Sequence, residues 1–367
     1  MISLYPSDER VALAAAAARW ASDRFKDNAE CEFDAARWRE MAELGWLAAV
    51  VSETHGGLGL APSHASVVAE AIAPAAMVEP YAAQAALAGH LLDRADAADA
   101  RDAALAAWLA GESLIALAHG EDATPAWSAS IATRCVADGG DWVLDGRKPL
   151  VRDGMLASHY VVSARDDEGT LALFLLPAAG VRRELRLAID GRPHCDLLLE
   201  RLRVPRTARL RFAEGAGAAL ASAAWLHALL VAAEMVGLAR AMTRASHEYL
   251  CQREQFGRKL IEFQVLQHRL VDMTLTVTRL ESLLEVARLK CDAAGPAGAA
   301  PWIAAAKAAA GEEGRVLGRQ AVQLHGAIGL TAELPLGRQL RRLAALEFAA
   351  GGTAHHLDYW SAHRAAP

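Results

Sequence analysis

Two kinds of periodicity alternate along this chain, and that alternation constrains its fold more than any single motif. From about residue 7 to 113 the apolar residues recur at helical spacing through alanine-rich runs, with breaks at "HGGLGLAPS" (55–63) and "EPY" (79–81). From about 114 to 213 the pattern shortens. "DWVLDGRKPLV", "HYVVSARD", "TLALFLLP" and "CDLLLERLRVP" are Val- and Leu-rich and are punctuated by "DGG", "DG", "DDEG" and "PAAG". Such spacing predicts short strands of an antiparallel barrel or sandwich. From about 216 long helical patterns return at 216–251, 261–293, 301–324 and 335–350, separated at the end by "AAGPAGAAP" and "HGAIGLTAELP". The expectation is a mainly α chain with a middle β domain. It comprises an N-terminal helical domain (1–113), a β domain (114–213) and a C-terminal helical bundle (214–367).

Composition narrows the function classes. Hydrophobic residues make up 53% and charged residues 22%, with a net charge of −6. The basic residues are interspersed with acidic ones, which argues against nucleic acid. Five widely spaced cysteines form no CxxC or Cys/His ligand pattern, so reduced, mostly buried thiols are expected and no metal site. The N-terminus lacks a basic start and a cleavage site, and its apolar run is short and Ala-dominated. This predicts a cytoplasmic protein with no membrane span.

Two polar clusters interrupt the C-terminal helices. "REQFGRKLIEFQ" (253–264) puts an arginine, an amide and an aromatic beside Gly257, where the chain leaves a helix. A planar bidentate donor next to a glycine-exposed backbone suits a phosphate-bearing ligand with an aromatic ring. Taken alone, it reads better as a helix-to-helix corner with a surface arginine. "QAVQLHGAIGLTAELPLGR" (320–338) ends a second helix in Gln323, His325 and Gly326. Two such ends could grip the halves of one dinucleotide, although no strand precedes either and GxGxxG spacing is absent.

With "WREMAELGWLAAVVSETHGGLGL" (38–60) and "LDGRKPLV" (144–151), these segments resemble the acyl-CoA dehydrogenase family over nearly the whole chain. The resemblance implies that family's fold, FAD as cofactor, and oxidation of the Cα–Cβ bond of an acyl-CoA thioester. It also implies electron-transfer flavoprotein as acceptor and an oligomer in which cofactor sites are shared between subunits. Arg253 matches the pyrophosphate arginine; Gln255 and Phe256 match its neighbours on the adenosine side. Gln323 and Gly326 match the second dinucleotide segment.

The chain departs from the family pattern on the flavin-ring side. The stretch 118–130 keeps Pro125 and Ser128 in rough register but lacks Gly-Ser-Asp, while "KPLVRDG" places Leu150 at the aromatic position and Arg152 at the hydroxyl position. Gly351 stands where a catalytic glutamate is expected, and His227 at a second position used for the base. Glu234, in the apolar stretch "LLVAAEMVGLARAM", is the remaining candidate base. The plainer reading of such a carboxylate is an ion pair, with Arg240 or Arg244 as partner. His355 and His356 are expected to be solvated or at a subunit contact. Three readings follow: one subunit of a hetero-oligomer resembling the small subunits of two-gene enzymes of the pimeloyl-CoA or steroid side-chain type; a self-sufficient homo-oligomer using Glu234; or a same-fold non-catalytic scaffold.

Overall fold

A computed structural model describes residues 7–25, 32–121 and 130–363. Helix α1 (Asp8–Arg24) starts at Ser7, whose hydroxyl accepts the Arg10 amide, with Asp8 and Glu9 in the first turn. Helix α2 (Ala35–Glu43) is capped by Asp34 in the same way. Helix α3 (Pro62–Ile72) follows the glycine-rich loop. A short α4 (Tyr81–Ala83) runs through a π-turn (Gln84–Gly89) into α5 (His90–Asp93), and α6 (Asp99–Leu109) closes the N-terminal helices.

The strands are β1 (Ile115–Ala118), β2 (Arg134–Asp138), β3 (Asp141–Val151), β4 (His159–Arg165), β5 (Leu171–Pro177), β6 (Arg182–Leu187), β7 (Pro193–Pro205) and β8 (Arg209–Leu210). Helix α7 (Ala216–Gln252) leads to a hairpin of β9 (Glu254–Gln255) and β10 (Arg258–Lys259). Then come α8 (Gln264–Gly298), α9 (Ala300–His325), α10 (Leu336–Glu347) and α11 (Thr353–His363).

The chain divides into two compact units. One joins residues 33–61 and 79–227 and contains the β-sheet, whose order is β6-β7-β3-β2-β4-β5-β8 with β1 beside β4. The expectation of a wholly antiparallel arrangement is corrected here. β1 pairs with β4 in parallel, and β2 meets β4 in parallel at Arg134 and Arg165. Four strands, β1, β2, β6 and β8, are too short or too polar to register as sequence signals. The sheet's core is built on Leu144, Tyr160, Phe174 and Leu197. Lys148 is buried among these strands because its ammonium donates to Glu121 (2.5 Å), the His119 carbonyl (3.2 Å) and Ser163 Oγ (3.0 Å).

The other unit joins residues up to 32, 62–78 and 228–367. The segment 293–301, expected as a linker, is mostly helix. α8 kinks at Gly295 (φ 73°) ahead of Pro296 and continues to Gly298. Helix α11, unassigned from sequence, has no sustained apolar stripe of its own. Ion pairs tie four helices together: Arg288 of α8 donates to Ser66 Oγ (2.9 Å) and Glu70 (2.5 Å) of α3, Arg10 of α1 pairs with Glu285, and the exposed Arg240 of α7 pairs with Glu70 and Glu281. By length and composition α7 could cross a membrane, yet 72% of its most apolar window is buried inside the fold, as in the core helix of a soluble protein. Cys135, Cys195 and Cys291 are buried free thiols and Cys251 is half-buried; Cys31 lies outside the described residues.

Gly237 sets the spacing of α7 against α3. A methyl group there would run into the Glu70 carbonyl and would sit 2.8 Å from Ala73 Cβ. Gly237→Ala would gain about 1 kcal/mol in helix propensity and lose about 3 kcal/mol to overpacking against backbone. We predict a net loss near ~2 kcal/mol, read as a melting temperature lowered by roughly 4 °C; a raised melting temperature would contradict this packing.

Candidate functional site

The segment 253–259 is a tight hairpin. β9 and β10 pair Gln255 with Arg258, and Phe256 (φ 56°) and Gly257 (φ 79°) form the two-residue turn. Left-handed backbone at both turn positions matches the right-handed twist of paired strands, which explains the glycine. The Arg253 amide donates to the Tyr249 carbonyl, continuing the last turn of α7, and the Arg253 carbonyl accepts from Leu260 N–H. Arg253, Gln255 and Phe256 all face outward, Phe256 with 89% of its surface exposed. The Arg253 guanidinium makes no hydrogen bond or ion pair with any described residue. The Gln255 side-chain amide donates to the Glu254 carbonyl (2.8 Å). Phe263 braces the hairpin from below, edge-on to Phe256 (6.1 Å between centroids) and with the Arg258 guanidinium 3.9 Å over its ring.

The second segment meets the first through an aromatic stack. His325, at the end of α9, lies face to face with Tyr249 of α7 (centroids 4.6 Å apart, 27° between planes), and its Nδ1 donates to the Ala321 carbonyl (2.8 Å). The ends of α7 and α9 therefore lie side by side. Gln323 and Gly326 are exposed there, and Gly326 adopts φ 68°, ψ −148° with open space where a side chain would be. All five expected dinucleotide residues sit at these two adjoining helix ends as outward-facing donors or open backbone. Tyr249 is the residue missed from sequence; its only signal was its place one turn before Arg253.

In the other unit the segment 148–154 ends β3 irregularly. Leu150 (φ 50°) and Asp153 (φ 53°) are both left-handed, and Leu150 is half exposed. The Leu150 amide donates to Asp196 Oδ1 (2.9 Å), whose other oxygen accepts from Arg186 and Arg147. Arg186 above all holds the Asp196 carboxyl far below the usual carboxylate range. The Asp153 amide donates to His194 Nδ1 (2.9 Å). Burial pushes that imidazole's pKa down, which suits its role as a neutral acceptor. The Asp153 carboxylate lies 3.7 Å from Arg192, which also sits 3.6 Å from Asp190. Arg152 is half-buried beside this cluster. The segment therefore presents an aliphatic side chain and charged groups, and no hydroxyl. Pro125 and Ser128 lie outside the described residues.

Glu234 is buried on α7, but its partner is neither Arg240 nor Arg244. Arg342 of α10 donates from Nε to Oε1 (2.6 Å) and from Nη2 to Oε2 (2.9 Å). Arg240 is spent on Glu70 and Glu281, and Arg244 reaches Glu248. The reason is geometric: Arg240 and Arg244 turn to the α3/α8 side and to solvent, while Glu234 faces α10. A carboxylate held on both oxygens by one guanidinium acts as a strut between helices. His227 is buried on the same helix. His356 corrects its expectation: it is buried, and its Nε2 donates to the Ala350 carbonyl (2.8 Å).

Comparison with known proteins gives this architecture its family. The model of the acyl-CoA dehydrogenase N-terminal domain matches residues 7–112, and that of the acyl-CoA dehydrogenase C-terminal domain matches residues 215–363. The 2-methylacyl-CoA dehydrogenase of Solanum tuberosum is 30% identical over 86% of this chain and 78% of its own. The chain belongs to the acyl-CoA dehydrogenase family. Among solved structures, the ChsE4-ChsE5 complex from Mycobacterium tuberculosis contains a chain with the same fold (TM-score 0.86, 22% identity, 100% of both chains covered). A structure of the electron transferring flavoprotein of Acidaminococcus fermentans contains another (TM-score 0.89, 22% identity, 99% of this chain and 100% of that one).

The strut makes a measurable claim about Glu234. Leaving Arg342 buried and unpaired in Glu234→Gln should cost about 3 kcal/mol. Arg342→Met should cost a similar amount, and the double variant should fall well short of their sum. Additive losses in thermal or denaturant unfolding would show that the two side chains do not act as one pair.

Proposed function

We propose that this chain is a subunit of an FAD-dependent acyl-CoA dehydrogenase that oxidises the Cα–Cβ bond of an acyl-CoA thioester, and that it works with a homologous subunit in a hetero-oligomer. The observation that carries the reading is an asymmetry in how the chain fits FAD. At the adenosine end the residues fit. Arg253 offers an uncommitted guanidinium to a pyrophosphate, Phe256 offers an exposed ring, and Gln323 and Gly326 offer an amide and accessible backbone at the neighbouring helix end. At the ring end they do not. Leu150 and Arg152 supply neither a stacking aromatic nor a hydroxyl donor, and the amides of Leu150 and Asp153 are committed to the Asp196 and His194 contacts.

What the cofactor supplies when bound is the acceptor for the hydride that leaves the β-carbon. This chain's own part is to hold the adenosine half of a cofactor whose ring lies in the partner. Its exposed hairpin suits that task, because an arginine and a phenylalanine turned to solvent contribute nothing to the chain's own core. A two-component assembly such as the ChsE4-ChsE5 complex supports the hetero-oligomer reading. The fold shared with an electron-transferring flavoprotein structure supports a flavoprotein as the electron acceptor.

Purification of the chain alone and with its partner tests the reading. The single chain should be colourless, and the assembled pair should show bound-flavin absorbance and oxidise acyl-CoA. A yellow, active single chain would instead make this a self-sufficient enzyme. In the assembled pair, Arg253→Ala should cost about 2 kcal/mol of FAD binding, a roughly 30-fold weaker affinity. Unchanged flavin occupancy under dilution would remove Arg253 from the pyrophosphate.

A further inference from the structure

The turn between α10 and α11 is built unlike an open catalytic loop. Ala350 (φ 56°) and Gly351 (φ 95°) are consecutive left-handed residues that reverse the chain after Glu347. Three backbone carbonyls of this turn are satisfied by side chains. Lys307 of α9, fully buried, donates from Nζ to the carbonyls of Glu347 (3.0 Å) and Gly351 (3.2 Å), and His356 donates to that of Ala350. A buried ammonium at the C-terminal end of a helix is also where the helix dipole favours a cation. Burial first, and then the Lys307 ammonium, push the His356 pKa down to about 3, so the imidazole stays neutral beside it. The space beside Gly351 is occupied: a Cβ there would sit 2.8 Å from His355 Cδ2 and 3.1 Å from His356 Nε2. One layer below, Gly311 of α9 has no side chain because Thr353 Oγ1 fills the position.

We infer that this corner is closed to a catalytic carboxylate: Lys307 and His356 tie the turn's carbonyls, and a side chain on left-handed Gly351 would be strained and would have to displace the His355 and His356 rings. Removing the α-proton of an acyl-CoA takes a proton acceptor at the reacting carbon, and this chain does not bring one from residue 351. The inference rests on the two-subunit reading above and deepens it, because the missing glutamate is a built-in closure and not a single substitution that one reversion would undo. Lys307 is the positioning residue of the closure. In sequence it showed only as a lone charge within "PWIAAAKAAAGEE".

The experiment uses the assembled enzyme and the single chain, each as wild type, Gly351→Ala, Gly351→Glu and Gly351→Ala with His355→Ala. Two readouts are followed: thermal unfolding, and exchange of the α-protons of an acyl-CoA with deuterated water, which reports a base without requiring oxidation. The closed corner predicts a melting temperature lowered by roughly 5 °C in Gly351→Ala and Gly351→Glu. It predicts part of that loss recovered when His355 is also truncated, and no α-proton exchange gained by the single chain carrying Gly351→Glu. A Gly351→Glu chain that keeps its melting temperature and begins to exchange α-protons would overturn the closure. So would a Gly351→Ala loss that truncating His355 leaves untouched. α-Proton exchange by the wild-type single chain is a different outcome: it would refute the two-subunit reading while the melting temperatures still judged the corner.

Discussion

The stack of Tyr249 on His325 is the contact on which the candidate site depends. Helices α7 and α9 are separated in sequence by the whole of α8, and each ends in a segment whose motif residues are exposed. Ring against ring at 4.6 Å, backed by the bond from His325 Nδ1 to Ala321, fixes the two ends beside each other. The hairpin and the Gly326 turn can then point their polar groups outward without costing the bundle its order. Neither segment is stabilised by burying its own motif residues; both are carried by the helices that precede them.

The same economy appears where the chain departs from its family. A carboxylate on an apolar helix must be paired, and Glu234 is paired on both oxygens by Arg342. A lysine inside an alanine-rich helix must find acceptors, and Lys307 finds the carbonyls of the α10–α11 turn. A register irregularity at the end of β3 must satisfy its amides, and Asp196 and His194 accept them. Each of these polar groups is tied into the fold, whereas the Arg253 guanidinium on the hairpin makes no hydrogen bond or ion pair with a described residue.

Much of this was legible in the sequence. The change of period marked the β strands between two helical regions, because alternation and helical spacing are set by how side chains leave the backbone. The glycines at 257 and 326 marked turns whose backbone is left-handed. What the sequence hid was of two kinds. Short edge strands such as β6, whose residues are all exposed, leave no apolar alternation to read. Long-range partners were also invisible: Arg342 lies 108 residues from Glu234, and nearer arginines looked equally suitable. Helix α11 and the buried state of His356 belong to this second kind, since both depend on Lys307 and the turn it holds.

A structure of the assembled enzyme with FAD bound tests the central claim most directly. The account predicts the Arg253 guanidinium on a cofactor pyrophosphate, with the adenosine near Phe256 and Gln323 and the flavin ring lodged in the homologous subunit. A flavin ring in van der Waals contact with Leu150 of this same chain, with Arg152 turned aside to admit it, would contradict the account.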